Sequence, residues 1–257
     1  MLSHGTPPTP SAPLPDKPAH DRKAPPFEGA PSGKGPEPER FNGGPDGRPC
    51  RLLHVEPVPV VRAGIEAQFA NLAGLELLPA VEDPRAALGQ LDSEPPDLLL
   101  AEIAFEQVDG LEWLKTVCQG RRTPRVVVFT SLPVEVFGSR ARRAGAWAFV
   151  GKEATFPSLI GILSDVARGR KRFPAAPKPS PGSLCHAVGQ LSDRELAVFQ
   201  LLGHGHSTKE VASLLGRSPK TVETHRVHLM RKLGVESINA LIRVAVRWLD
   251  NPNGSMP

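Results

Sequence analysis

The sequence predicts an α/β fold, a doubly wound five-stranded parallel sheet over residues 50–170, followed by an all-α helix-turn-helix domain over residues 189–250. Three observations carry this. Short apolar runs alternate five times with longer amphipathic segments, the pattern of a parallel sheet covered by helices on both faces. From about residue 190 the strand pattern stops and helix caps recur at close spacing. Proline and glycine gather outside both stretches: residues 1–49 hold 13 Pro and 7 Gly, and Pro174, Pro177, Pro179 and Pro181 crowd the gap between the two domains.

Within the first domain the strands are expected at 51–55, 75–78, 97–101, 125–130 and 147–150. Each precedes a helical pattern, at 59–70, 84–91, 110–118, 134–144 and 156–168. The near-continuous apolar runs around Leu99 and Val127 suit central strands buried on both faces. Sheets of this kind bind their ligands beyond the carboxyl ends of the strands. That rule selects Glu56, Pro57, Glu102, Thr130 and Lys152 as the candidate site. Arg140, Arg142 and Arg143 read as a solvated helix face, with a surface for partners as the alternative.

The second domain is punctuated clearly. Ser192 with Glu195, and Ser207 with Glu210, have the spacing of capping boxes. Ser218 before Pro219 reads as an N-cap with proline in the first helical position. Gly203, Gly216 and Gly234 stand where helices stop. A helix over 207–215, a turn through Gly216 and a helix over 219–233 make a helix-turn-helix. On the second of these helices, Val222, Leu229, Leu233 and Met230 form one apolar stripe. Lys220, Glu223, Thr224, Val227 and Arg231 fall on the opposite side, and His228 also lies off the stripe. An exposed Val227 has no core to join, and a thymine methyl is a fitting partner.

Charge and composition narrow the function classes. The chain carries a formal net charge of +4. Residues 191–257 hold nine Lys/Arg against six Asp/Glu, whereas residues 50–170 hold 13 against 15. This places a mild cationic footprint on the helical domain. Three scattered cysteines offer neither a disulfide framework nor paired zinc spacing, and no apolar run is long enough to span a membrane. The expectation is a cytoplasmic protein without cofactor or metal, and not an enzyme. The expected domains are a Pro/Gly-rich tail over 1–49 that does not pack, the sheet domain over 50–170, a basic Pro-rich linker over 171–188, the helical domain over 189–250 and a short tail over 251–257.

The stretches RLLHVEPVPVVRAGI, PDLLLAEIAFEQVDGL, VVVFTS and AGAWAFVGK together resemble the receiver domain of bacterial response regulators. The resemblance implies that Thr130 and Phe149 are the switch positions and Lys152 the conserved lysine. It also exposes departures. A receiver has two adjacent carboxylates after its first strand, which hold Mg²⁺, and an Asp phosphoacceptor. Here Glu56 is followed by Pro57, and Glu102 stands at the acceptor position. A metal ligand is missing and the nucleophile is one methylene too long, so ordinary aspartyl phosphorylation is not expected. Glu102 has two readings: a built-in anion imitating the phosphorylated state, or a structural partner of Lys152.

The segments LSDRE, STKEVA and SPKTVETHR with MRKLGV resemble the LuxR/NarL-type helix-turn-helix of transcription regulators. This implies that the helix carrying Thr221 to Arg231 enters the major groove, that Lys209 touches the DNA backbone, and that the last helix contributes to a dimer. The combined reading is a regulator that binds double-stranded DNA as a homodimer. Lys209, Lys220 and Arg231 would hold phosphates, while Glu223, Thr224 and Val227 read bases, flanked by Thr221 and His228. A regulatory protein or ligand at the receiver remains open. The alternatives are a phosphorylation-dependent relay served by a sensor kinase, and a protein that sequesters another regulator.

Overall fold

The computed structural model describes residues 41, 48–70, 72–120, 123–175 and 179–252. Most of the 1–49 tail and of the 251–257 tail lies outside them. Five parallel strands, β1 (Cys50–Val55), β2 (Leu75–Leu77), β3 (Leu98–Ala101), β4 (Arg125–Thr130) and β5 (Ala148–Gly151), form one sheet in the order β2-β1-β3-β4-β5. Leu53 pairs with Leu99, Leu99 with Val126, and Val127 with Ala148. This register brings the carboxyl ends of β1, β3, β4 and β5 to one edge.

Helices α1 (Pro59–Phe69), α2 (Pro84–Ser93), α3 (Gly110–Gln119) and α4 (Val134–Ala144) connect the strands, and α5 (Phe156–Ala167) follows β5. Alternate residues of each strand serve opposite faces, as the period of two demands. Leu52, Leu98, Leu100, Val127 and Phe129 pack with Ile65 and Phe69 of α1 and Leu159 and Leu163 of α5. Leu53, Leu99, Val126 and Val128 pack with Leu114 of α3 and Phe137 of α4. Phe41, inside the predicted tail, is buried in the first of these clusters, so an apolar anchor interrupts a segment whose composition suggested none.

The helical domain holds α6 (Leu184–Gly189), α7 (Asp193–Gly203), α8 (Thr208–Leu214), α9 (Pro219–Leu233) and α10 (Ile238–Asp250). Both capping boxes are present. Ser218 caps α9 by accepting from the Thr221 N–H. The turn between α8 and α9 needs Gly216, whose φ of 60° lies in the left-handed region. Helix α6 was not expected, because the linker was read through residue 188. Ser183 caps it, and Leu184, Cys185 and Val188 are buried. Upstream, the linker adds to the sheet edge: the Arg172 N–H donates to Trp147 O at 2.8 Å, and the Phe149 N–H donates to Arg172 O at 3.1 Å.

One apolar cluster runs from the α3–α4 face of the sheet into the helical domain, reaching Leu184, Phe199 and Trp248. Ion pairs ring it. Arg140 on α4 is buried rather than solvated: its guanidinium reaches Asp193 Oδ1 at 2.6 Å, Leu191 O at 2.6 Å and Gly189 O at 3.1 Å. Lys115 reaches the same Asp193 at 3.3 Å, and Arg194 reaches Glu112 at 3.3 Å. The helix period explains the correction. Arg140 stands four residues after buried Val136 and four before buried Ala144, on the packed side of α4.

Candidate DNA interface and the acidic end of the sheet

At the carboxyl edge the chain leaves β1 through Glu56, β3 through Glu102 and β5 through Lys152, while β4 ends on Thr130. The register brings the three charged side chains together. Lys152 Nζ lies 2.7 Å from Glu56 Oε2 and 2.7 Å from Glu102 Oε2. Both carboxylates are buried, Glu56 completely. The remaining oxygen of each is held by the backbone: Glu102 Oε1 accepts from the N–H groups of Ile103 (2.6 Å) and Ala104 (2.8 Å), and Glu56 Oε1 accepts from Val58 N–H at 2.9 Å. Burial alone would lower the lysine pKa. The two carboxylates, Glu102 foremost, outweigh it and hold Lys152 above its ordinary value.

The loop after Glu102 is fixed from below. Asp109 caps α3 by accepting from Glu112 N–H, and a side chain at Gly110 would place Cβ 1.9 Å from Ile103 O. Only glycine lets α3 approach this closely. Thr130 is buried, and its hydroxyl oxygen accepts from Leu132 N–H at 3.1 Å. Phe149 is buried in the core. Pro57 offers only its carbonyl oxygen, which accepts from Arg62 at 2.9 Å.

These residues do not fit a Mg²⁺ ion of the receiver type. Pro57 brings no side-chain oxygen, and both glutamates are already engaged by an ammonium and by backbone N–H groups. A divalent cation needs several free oxygens in near-octahedral array. Among the described residues, no group of three or more His, Cys, Asp or Glu is placed to hold a metal.

His54, on β1 two residues before Glu56, was not singled out in the sequence. It is completely buried, and neither ring nitrogen has a hydrogen-bond partner. Burial, with Lys152 and Arg62 nearby, pushes its pKa down to about 4. A histidine inside an otherwise apolar strand pattern is the signal that marks it.

In the helical domain, Lys209, Lys220, Thr221, Glu223, Thr224, Val227 and Arg231 are all exposed. Val222, Leu229 and Leu233 are buried beneath them, as the helical angles predicted. Val227 is 59% exposed, one of few large apolar side chains so placed. Side-chain contacts hold α9 in position. Arg226 donates to Thr208 Oγ1 at 2.6 Å, tying α9 to α8. Lys232 reaches Glu195 Oε2 at 2.7 Å, tying α9 to α7. His228 is half-buried, and its Nδ1 lies 4.0 Å from Glu195 Oε1.

The fold and its two sites define a class, transcription regulators in which a receiver-type sheet domain precedes a DNA-binding helix-turn-helix. More particularly, the chain belongs to the LuxR-type response regulators. Residues 52–164 match the family model of the response regulator receiver domain, and residues 189–245 match that of the bacterial regulatory proteins, luxR family. It is similar to the Fimbriae Z protein of Salmonella typhimurium, with 29% identity over 206 residues, covering 77% of this chain and 97% of that protein. It is 25% identical over 204 residues to the response regulator GacA of Pseudomonas aeruginosa, covering 77% and 95%. The fold is shared with RcsB of Salmonella typhimurium at a TM-score of 0.63 and 20% identity, covering 77% of this chain and 98% of that one. RcsB from Salmonella enterica serovar Typhimurium, bound to the rprA promoter in the presence of a phosphomimetic, matches at a TM-score of 0.59 and 19% identity. Among the described residues, no helix is long and apolar enough to cross a membrane.

Proposed function

We propose that this regulator binds duplex DNA as a homodimer on two half-sites, and that it does so without aspartyl phosphorylation. It acts in the cytoplasm, on DNA, and performs no chemistry of its own. The observation that carries this is the Glu56–Lys152–Glu102 cluster, in which a protein ammonium occupies both carboxylates that a metal and a phosphoryl group would otherwise need. Of the two readings of Glu102, the structural one is better supported. Glu102 is held by Lys152 and by its own loop, while the Thr130 hydroxyl oxygen is engaged by Leu132 N–H.

On the DNA side, α9 enters the major groove. Lys209, Lys220 and Arg231 take phosphates, and Glu223, Thr224 and Val227 face base edges, with Thr221 at the entry. A glutamate there accepts from a cytosine amino group, and Val227 meets a thymine methyl. In this reading the linker ends at Ser183, the N-cap of α6. For the dimer, α10 keeps Leu241, Val244, Ala245 and Trp248 in its own core and leaves Val246 exposed beside half-buried Ile242. That outer strip supports a contact between copies.

The test is DNA binding by the protein without any phosphodonor, with sedimentation to count copies per duplex. Specific binding of two copies is expected. Binding only after phosphorylation, or no sequence preference in duplexes selected from a random pool, would overturn the reading.

A further inference from the structure

The chain between α5 and α6 does more than connect. Arg168, Arg170, Lys171 and Arg172 lie in succession around Gly169 and are all exposed. They form a fixed strap. Gly169 turns the backbone at a φ of 84°. Arg172 pairs with the edge of β5 through both its backbone groups. Phe173 packs against the apolar cluster, and the Arg142 guanidinium of α4 stands 4.4 Å from its ring centroid. Lys171 lies 5.4 Å from the Trp147 ring, which also carries Arg125 at 5.1 Å.

The charge on the strap is far from balanced. Arg168, Arg170 and Arg172 all turn to one carboxylate, Asp165, the first two at 3.4 Å. The three guanidinium groups hold that carboxyl below its ordinary pKa, Arg172 most strongly. One anion shared among three arginines leaves most of their donors free. Arg142 and Arg143 extend the same positive surface along α4, both exposed. Donors held at fixed positions lose little freedom when they meet a polyanion, unlike those of a loose tail.

We propose that this strap is a second DNA contact, one that holds phosphates flanking the half-site read by α9. It rests on the DNA-binding reading above and extends it. Chain length permits it. Residues 174–183 join the strap to α6, and ten residues reach at most ~33–36 Å, about one turn of B-form duplex. The partner is the sugar–phosphate backbone, because the strap presents guanidinium and ammonium groups and no apolar reading surface. It adds affinity without sequence preference.

The experiment uses the full chain and a duplex selected from a random pool, in two lengths. One duplex covers only the two half-sites, and the other carries an added turn on each side. The variant is Arg168→Gln/Arg170→Gln/Lys171→Gln, which leaves Arg172, Phe173 and Arg142 in place to anchor the strap. On the long duplex the variant is expected to lose about 5.4 from the slope of log affinity against log salt, the contribution of six phosphates, three from each copy of the dimer. The wild-type advantage then shrinks about 1,800-fold between 50 and 200 mM salt. On the short duplex the two proteins bind within about twofold of each other. Equal slopes on the long duplex, with the variant folded by its melting curve, overturn the strap contact and leave the DNA reading intact. A wild-type protein that binds neither duplex overturns the DNA reading itself. Arg170→Glu/Lys171→Glu is a second variant, and it should lower long-duplex affinity further than the neutral substitutions do.

Discussion

Replacing Glu102 by alanine separates the two roles open to it. The substitution removes a nearly buried carboxylate that meets Lys152 at 2.7 Å and accepts from two backbone N–H groups. Breaking a buried ion pair costs about 3–5 kcal/mol when the surviving charge is stranded. Lys152 is not stranded, because Glu56 stays at 2.7 Å, so that contribution falls below the full range. Leaving the Ile103 and Ala104 N–H groups without an acceptor adds about 1–3 kcal/mol. A loss of about 3–4 kcal/mol in the stability of the sheet domain is therefore expected. Glu102→Gln keeps a carbonyl oxygen for those N–H groups and should cost about half as much. The assay is urea unfolding followed by tryptophan fluorescence, with Trp113 and Trp147 in the sheet domain and Trp248 in the helical domain, beside DNA affinity measured without denaturant. If Glu102 is a structural partner, both variants lose stability while their folded fraction binds DNA as the wild type does. A stably folded Glu102→Ala protein with DNA affinity reduced fivefold or more would refute this reasoning. It would restore the anion-mimic reading, for which a coupling of about 1–3 kcal/mol is the expected scale.

Three further predictions rest on separate parts of the structure. Lys220→Ala should weaken DNA binding across sequences and lower the salt slope by about 1.8, one phosphate for each copy of the dimer, whereas Val227→Ala should shift preference at one base position of each half-site by about 1–3 kcal/mol per position; titrations against a panel of duplexes check both. His54 has a folded pKa of about 4 against an ordinary 6.5. Its unfolded form therefore takes up a proton first, and stability falls as pH drops from about 6.5 to about 4, by about 3 kcal/mol in all. His54→Leu should flatten that part of the stability–pH curve, as urea unfolding across the range will read. Phe41 is 2% exposed, so Phe41→Ala should cost about 3 kcal/mol, while deleting residues 1–36 should leave the melting temperature nearly unchanged.

Much of this was legible in the sequence because it depends on local patterns. Val126, Val127 and Val128 could be placed on a central strand from apolar continuity alone. The capping boxes at Ser192 and Ser207 marked helix starts to the residue. The gathering of Glu56, Glu102, Thr130 and Lys152 followed from the rule for strand ends, once the strands were placed. What escaped depends on contacts between distant segments. Arg140 looks like any basic residue on a polar helix until α7 presents Asp193 and the backbone carbonyls of Gly189 and Leu191. Helix α6 is only six residues long and is stabilised by packing rather than by propensity. Phe41 stands among prolines and glycines, so composition hid a side chain that docks. His228 lies on the angular border of the α9 face, where a helical-wheel angle alone does not decide its neighbours.

The most direct test of the central claim exposes the purified full chain to acetyl phosphate and Mg²⁺. Intact mass and DNA affinity are then measured on the same sample. The occupied Glu56–Lys152–Glu102 cluster predicts no added phosphoryl mass and the same affinity with and without the phosphodonor. A stable phosphoryl adduct at Glu102, together with tighter DNA binding, would contradict it.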